Sequence, residues 1–206
     1  MLNNQQSLRQ AFSNQFVVLL AFVGLLWALE IFDGILCVIS FDCARGQQQP
    51  LDLGIQPRTW HGLRNILFAP FLHFGFGHLI ANTIPLIVLG LFVMLRKLSD
   101  FYIVSVIVAL VGGIGVWIFG RSYTNHLGAS GLIFGYLGYL LLRGYFEIRR
   151  GYTKQSLGSI AVAVIVFFLY GSMLWGVLPG QPGISWLGHL FGFIGGGVAA
   201  YLTTDR

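Results

Sequence analysis

Apolar runs of about twenty residues recur along this chain, each closed by charge, proline or a glycine-rich turn. A helix of twenty residues rises about 30 Å, the thickness of a bilayer's hydrocarbon core. Backbone polar groups at that depth must be bonded within the protein, which favours helices for runs of this length. Only 9% of the 206 residues are charged and 56% are hydrophobic, where soluble domains carry about 25% charged residues. The composition excludes a soluble protein and indicates one all-α, polytopic membrane domain over residues 1–206.

Six segments are long enough to count, near 16–39, 77–95, 99–120, 130–142, 156–178 and 186–203. Six crossings put both termini on one side. The first run follows MLNNQQSLRQ, which lacks a basic start and a small-residue cleavage site, so it is expected to be retained. On the side of the termini lie Arg9, Arg96, Lys97, Arg143, Arg149, Arg150, Lys154 and Arg206; the other side has Arg45, Arg58, Arg64 and Arg121. Eight against four places the termini in the cytoplasm. The net charge of +5 therefore reads as topology beside a lipid bilayer, and no nucleic-acid partner is expected. Residues 40–76 lie outside, carry Pro50, Pro57 and Pro70, and form a structured outer loop dipping into the interface. Cys37 and Cys43 are too few for a disulfide framework, and their pairing stays open.

The fourth run is short. From Ser130 to Arg143 there are 13 residues, about 20 Å of helix against about 30 Å of hydrocarbon, so Ser130 sits well below the outer surface. Counting 14 residues from Arg96 back to Asn82, and 14 from Thr203 back to His189, gives the same depth. His78 stands one turn from Asn82 on the same helix face. Each unsatisfied polar group in hydrocarbon costs several kcal/mol, and one shared, water-accessible cavity would satisfy them all. Gly131, Gly135 and Gly138 in the fourth run, with Gly188, Gly192 and Gly196 in the sixth, make small-xxx-small faces. Such faces let two helices meet backbone to backbone.

A serine and a histidine at matched depth suit nucleophilic acyl transfer, with His189 taking the proton of Ser130. The seven acids are Glu30, Asp33, Asp42, Asp52, Asp100, Glu147 and Asp205. None has an obvious path to His189, so a dyad is expected, with Phe134 packing against the imidazole. The backbone N–H of Ser130 at a helix start, with His78 and Asn82, would stabilise an oxyanion.

Three motifs now align: HFGFGHLIANTIPL, with His73, His78 and Asn82; GASG at Gly128 to Gly131; and GHLFGFIGGGVAAYL, with His189. In this order, on the second, fourth and sixth runs, they resemble the rhomboid family of intramembrane serine proteases. The resemblance implies a six-transmembrane-helix rhomboid-like bundle, with Ser130 as nucleophile, His189 as general base, His78 and Asn82 as the oxyanion pair, and His73 supporting the outer loop. It implies single-span membrane protein substrates, cut near the outer end of their helix, with no metal and no cofactor, in a bacterial plasma membrane. Two positions depart from the pattern. Arg64 and Asn65 stand where many members carry Trp-Arg, and Phe134 stands where Tyr is frequent. By likeness, substrate entry depends on the fifth helix and on residues 179–185.

Other readings have less behind them. His73, His78 and His189 lack the HExxH motif or carboxylate of a zinc site. A transporter would show internal repeats, and none is visible. A non-catalytic rhomboid-like binder would not need both Ser130 and His189. His61 and His126 are expected to face interfacial water, and the oligomeric state is left open.

Overall fold

The computed structural model describes residues 2–40, 51–180 and 183–205, with side chains from Ser13 onward. Among the described residues the architecture is all-helical: α1 Leu2–Ile39, α2 Trp60–Arg64, α3 Phe76–Met94, α4 Leu98–Phe119, α5 Ser130–Arg149, α6 Thr153–Tyr170 and α7 Trp186–Thr203. A 3-10 helix, Gly171–Val177, continues α6. The segments Ser13–Ile39, Phe76–Met94, Leu98–Phe119 and Thr153–Val177 are long and apolar enough to cross a membrane. In α5 the charged side chains Arg143, Glu147 and Arg149 lower the mean hydropathy, and in α7 His189 and five glycines, which add little apolar surface, do the same.

The exterior is that of a membrane protein. Val17, Ile84 and Phe168 are more than half exposed, and α6 buries only Ser156 and Val166 among its 18 residues. Side chains of this kind, destabilising against water, suit lipid. Polarity is turned inward instead, with Asn82, Asp100, Arg143, Glu147 and His189 all buried.

The most intimate helix pair is α5 against α7, and glycine makes it. A methyl group on Gly192 would overlap the carbonyl oxygen of Gly131, and one on Gly196 the carbonyl oxygen of Gly135. These are the two small-residue faces expected from the sequence. Close approach maximises dispersion where the hydrophobic effect offers no drive.

At one end of the bundle, the loop end, residues 51–75 are folded rather than slack. Ile55 and His126 form an isolated β-bridge. Arg58 donates to the carbonyls of Ile118 at 3.0 Å and Gly120 at 2.7 Å. The indole of Trp117 donates to Thr59 O at 2.8 Å. Asn65, at a position where the family pattern differs, is fully buried and donates to the carbonyls of Gly54 at 3.1 Å and Asp52 at 3.3 Å. Short side-chain ties thus brace this segment. Residue 43, and with it the pairing of Cys37 with Cys43, lies outside the described residues.

At the opposite, basic end, Arg96 and Arg143 are more than topology signals. Arg143 bonds Asp100 at 3.0 Å and Glu147 at 3.0 Å, and Arg96 reaches Glu147 at 2.8 Å. Neutralising two buried carboxylates this way lets α5 run on to Arg149, beyond the stop expected near residue 142. Gln15 donates to Met94 O and Arg150 pairs with Asp205, so both terminal stretches lie at this end.

Candidate active site

Ser130 opens α5, and the turn before it is fixed from two sides. Gly128 has φ +118°, a conformation that favours glycine, and its N–H donates to Ala69 O at 2.9 Å. The N–H of Ala129 donates to His73 Nε2 at 3.3 Å. Accepting that bond requires an unprotonated Nε2. Burial, reinforced by His78, pushes His73 down to about 3, which keeps it neutral. His73 thus supports the serine turn.

His189 lies in the first turn of α7, whose N-cap is Ser185: the Ser185 hydroxyl accepts from Gly188 N, and Ser185 O accepts from His189 N at 3.1 Å. The close α5–α7 packing brings the two helix starts together, with His189 Nε2 3.0 Å from Ser130 Oγ. On its other side, His189 Nδ1 lies 3.0 Å from Gly176 O. A carbonyl can only accept, so Nδ1 carries the ring hydrogen and Nε2 presents its lone pair to the serine hydroxyl. Phe134 stacks on the imidazole with centroids 4.0 Å apart and planes 8° from parallel. Ring orientation is fixed by a backbone carbonyl and an aromatic face, with no acid among the described contacts of the ring. Position 176 requires glycine, because a Cβ there would come within 2.8 Å of Phe134 and 3.2 Å of His189.

His78 projects from α3 toward the serine turn, and Asn82 lies one turn further along the same helix. The His78 ring packs against Gly128, so a Cβ there would meet its Cε1 at 2.6 Å, and its Nδ1 accepts from Phe74 N at 3.4 Å. Asn82 is buried, and among the described residues its Nδ2 has no hydrogen-bond partner. A buried amide donor left open is costly unless something fills it. A cavity of about 50 Å³ lies beside Ser130, lined also by Gly131, His126, Ser185, Gly188 and Val116.

Three features were not read from the sequence. The Gly176 carbonyl is a backbone group and leaves no side-chain signal. Glu30, set aside as remote, reaches from α1 to accept hydrogen bonds from the backbone of His73 and Gly75, and so holds the start of α3. Its signal was helical spacing, since Trp27, Glu30 and Asp33 share one face of α1. His126 does not face interfacial water: it is partly buried and bonded to Thr124 and Ser185.

Comparison with known proteins gives a consistent answer. Residues 59–206 match the model of the Rhomboid domain. An uncharacterized protein of Mycobacterium tuberculosis is 41% identical over 192 residues, covering 89% of this chain and 73% of that one. One from Mycobacterium leprae is 40% identical over 195 residues, covering 90% and 70%. YdcA of Bacillus subtilis, named as a candidate rhomboid protease, is 27% identical over 193 residues, covering 91% and 87%.

Proposed function

The chain belongs to the rhomboid family, and from that premise we propose that it is an intramembrane serine endopeptidase working through a Ser130–His189 dyad. The observation that carries the reading is the 3.0 Å contact between Ser130 Oγ and His189 Nε2, on a ring whose Nδ1 is turned to Gly176 O. His189 Nε2 removes the hydroxyl proton as Oγ bonds the scissile carbonyl carbon. The negative charge that collects on the carbonyl oxygen is met by His78, the open amide of Asn82 and the N–H of Ser130 at the start of α5. His189 then returns the proton to the departing amine as the C–N bond breaks, leaving an acyl-enzyme. Water, deprotonated by the same ring, hydrolyses the ester.

In this reading α1 and α3 to α7 cross the bilayer six times. The loop end faces outward, and the basic end with both termini faces the cytoplasm of a bacterial cell. The excess of Lys and Arg at the basic end supports that orientation. Substrates are single-span membrane proteins whose helix enters from the lipid, unwinds near its outer end and offers a carbonyl to Ser130. Unwinding is needed because helical carbonyls are already bonded and sterically covered, so helix-breaking residues near the cut favour cleavage. The test is cleavage of a labelled single-span protein by the purified chain in proteoliposomes. The parent should cut near the outer end of the span, and Ser130→Ala and His189→Ala should be inactive but folded. A parent that binds helix-destabilised substrates without cutting any would instead be a recognition protein.

A further inference from the structure

His126 belongs to none of the three motifs, yet three segments of the loop end meet on it. Its backbone pairs with Ile55, donating to Ile55 O at 3.0 Å and accepting from Ile55 N at 2.8 Å. Its Nε2 lies 2.8 Å from Thr124 Oγ1, and its Nδ1 2.7 Å from Ser185 Oγ. The hydrogens follow from the neighbours. Thr124 has one hydroxyl hydrogen and donates it to Arg121 O, so its oxygen accepts from His126 Nε2–H. Nδ1 is then bare and accepts from the Ser185 hydroxyl, whose oxygen in turn accepts from Gly188 N at 3.3 Å. Every donor in the chain has one acceptor, on a neutral ring. Burial holds His126 below the ordinary histidine value, in keeping with that neutrality.

The position matters because of what lies on either side. Toward the basic end, α5 and α7 are clamped where Gly192 faces Gly131 and Gly196 faces Gly135. Toward the loop end, His126 precedes Ser130 by four residues and Ser185 precedes His189 by four. The Ser130–His189 contact therefore sits between a glycine clamp and the His126–Ser185 bond. We propose that His126 is a positioning residue: its bond to Ser185 ties the turn that carries Ser130 to the N-cap of the helix that carries His189, and so sets the dyad distance. This rests on the serine-protease reading above.

The experiment compares kcat and KM of the full chain in proteoliposomes, on one single-span substrate, for His126→Ala, His126→Asn, His126→Gln, Ser185→Ala and the His126→Ala/Ser185→Ala double variant. His126→Ala should lower kcat about tenfold with KM within about twofold of the parent. Asn presents an oxygen where Nδ1 stood and should recover most of the loss; Gln reaches only the Nε2 position and should not. The double variant should be no slower than the slower single variant, since both remove one bond. Equal kcat for the Ala and Asn variants, or additive losses, overturns the proposal. Should the parent cut nothing, the protease reading fails, and the latch is decided by 15N spectra of histidine-labelled protein. Those should show His126 as the Nε2–H tautomer, with an Nδ1 signal that moves on Ser185→Ala. An Nδ1–H tautomer, or an unmoved signal, overturns it.

Discussion

Gly192→Ala tests whether backbone contact between α5 and α7 sets the dyad. Gly192 lies three residues after His189 on the same helix, and a methyl there would overlap the carbonyl oxygen of Gly131, the residue after Ser130. Carbon and carbonyl oxygen rest at about 3.3 Å or more, so the helices must part by roughly 1 Å. Applied to the 3.0 Å contact between Oγ and Nε2, that separation leaves about 4 Å, beyond hydrogen-bond range. Misplacement by about 1 Å costs on the order of 100-fold in rate, whereas overpacking of this kind costs about 1–3 kcal/mol of stability. The control is Gly158→Ala in α6, where nothing lies within 4 Å of a new Cβ. Cleavage rates and thermal midpoints in the same detergent separate the two effects. Gly192→Ala should remain folded and lose about two orders of magnitude in kcat, with Gly158→Ala unchanged. A folded Gly192→Ala enzyme within about threefold of the parent would refute the premise that helix spacing controls the dyad.

Three further outcomes follow from the same geometry. Phe134→Leu removes the ring stacked at 4.0 Å on His189 and should lower kcat about tenfold with little change in KM; an unchanged rate would mean the Gly176 carbonyl alone holds the imidazole. Arg143→Ala strands the buried Asp100 carboxylate and leaves Glu147 to Arg96 alone, and should cost about 3–5 kcal/mol, read as a lower unfolding midpoint; a neutral result would show that Asp100 does not need Arg143. His73 resists protonation until about pH 3, against 6.5 when unfolded. The unfolded chain therefore binds the extra proton as pH falls from about 6.5 to about 3, and stability falls with it by up to about 1.4 kcal/mol per pH unit. His73→Gln, which can still accept from Ala129 N without titrating, should flatten that slope in melts across this range; an unflattened slope would assign acid sensitivity elsewhere.

How much of this was legible in the sequence depends on the kind of group involved. Segment positions were readable because hydrocarbon imposes a length on apolar runs: the helices Phe76–Met94, Leu98–Phe119 and Trp186–Thr203 fall within about a residue of the runs that announced them. The meeting of α5 with α7 was written in four-residue glycine spacing, and the nearness of Ser130 to His189 in simple counting. What stayed hidden were contacts set by tertiary geometry. Charge counting assigned Arg96 and Arg143 to topology, although Arg143 and Glu147 stood at i and i+4. His126 read as a loop residue because no local pattern ties it to Ser185, 59 positions away. The Gly176 carbonyl that orients His189 could not be seen in any side chain.

The most direct measurement of the central claim is mass spectrometry of the purified chain after reaction with a fluorophosphonate, which phosphonylates a serine only when a neighbouring base activates it. A single adduct is expected on the peptide bearing Ser130, abolished in His189→Ala while that variant keeps its thermal midpoint. Absence of an adduct on the folded parent, labelling at another serine, or undiminished labelling of His189→Ala would contradict it.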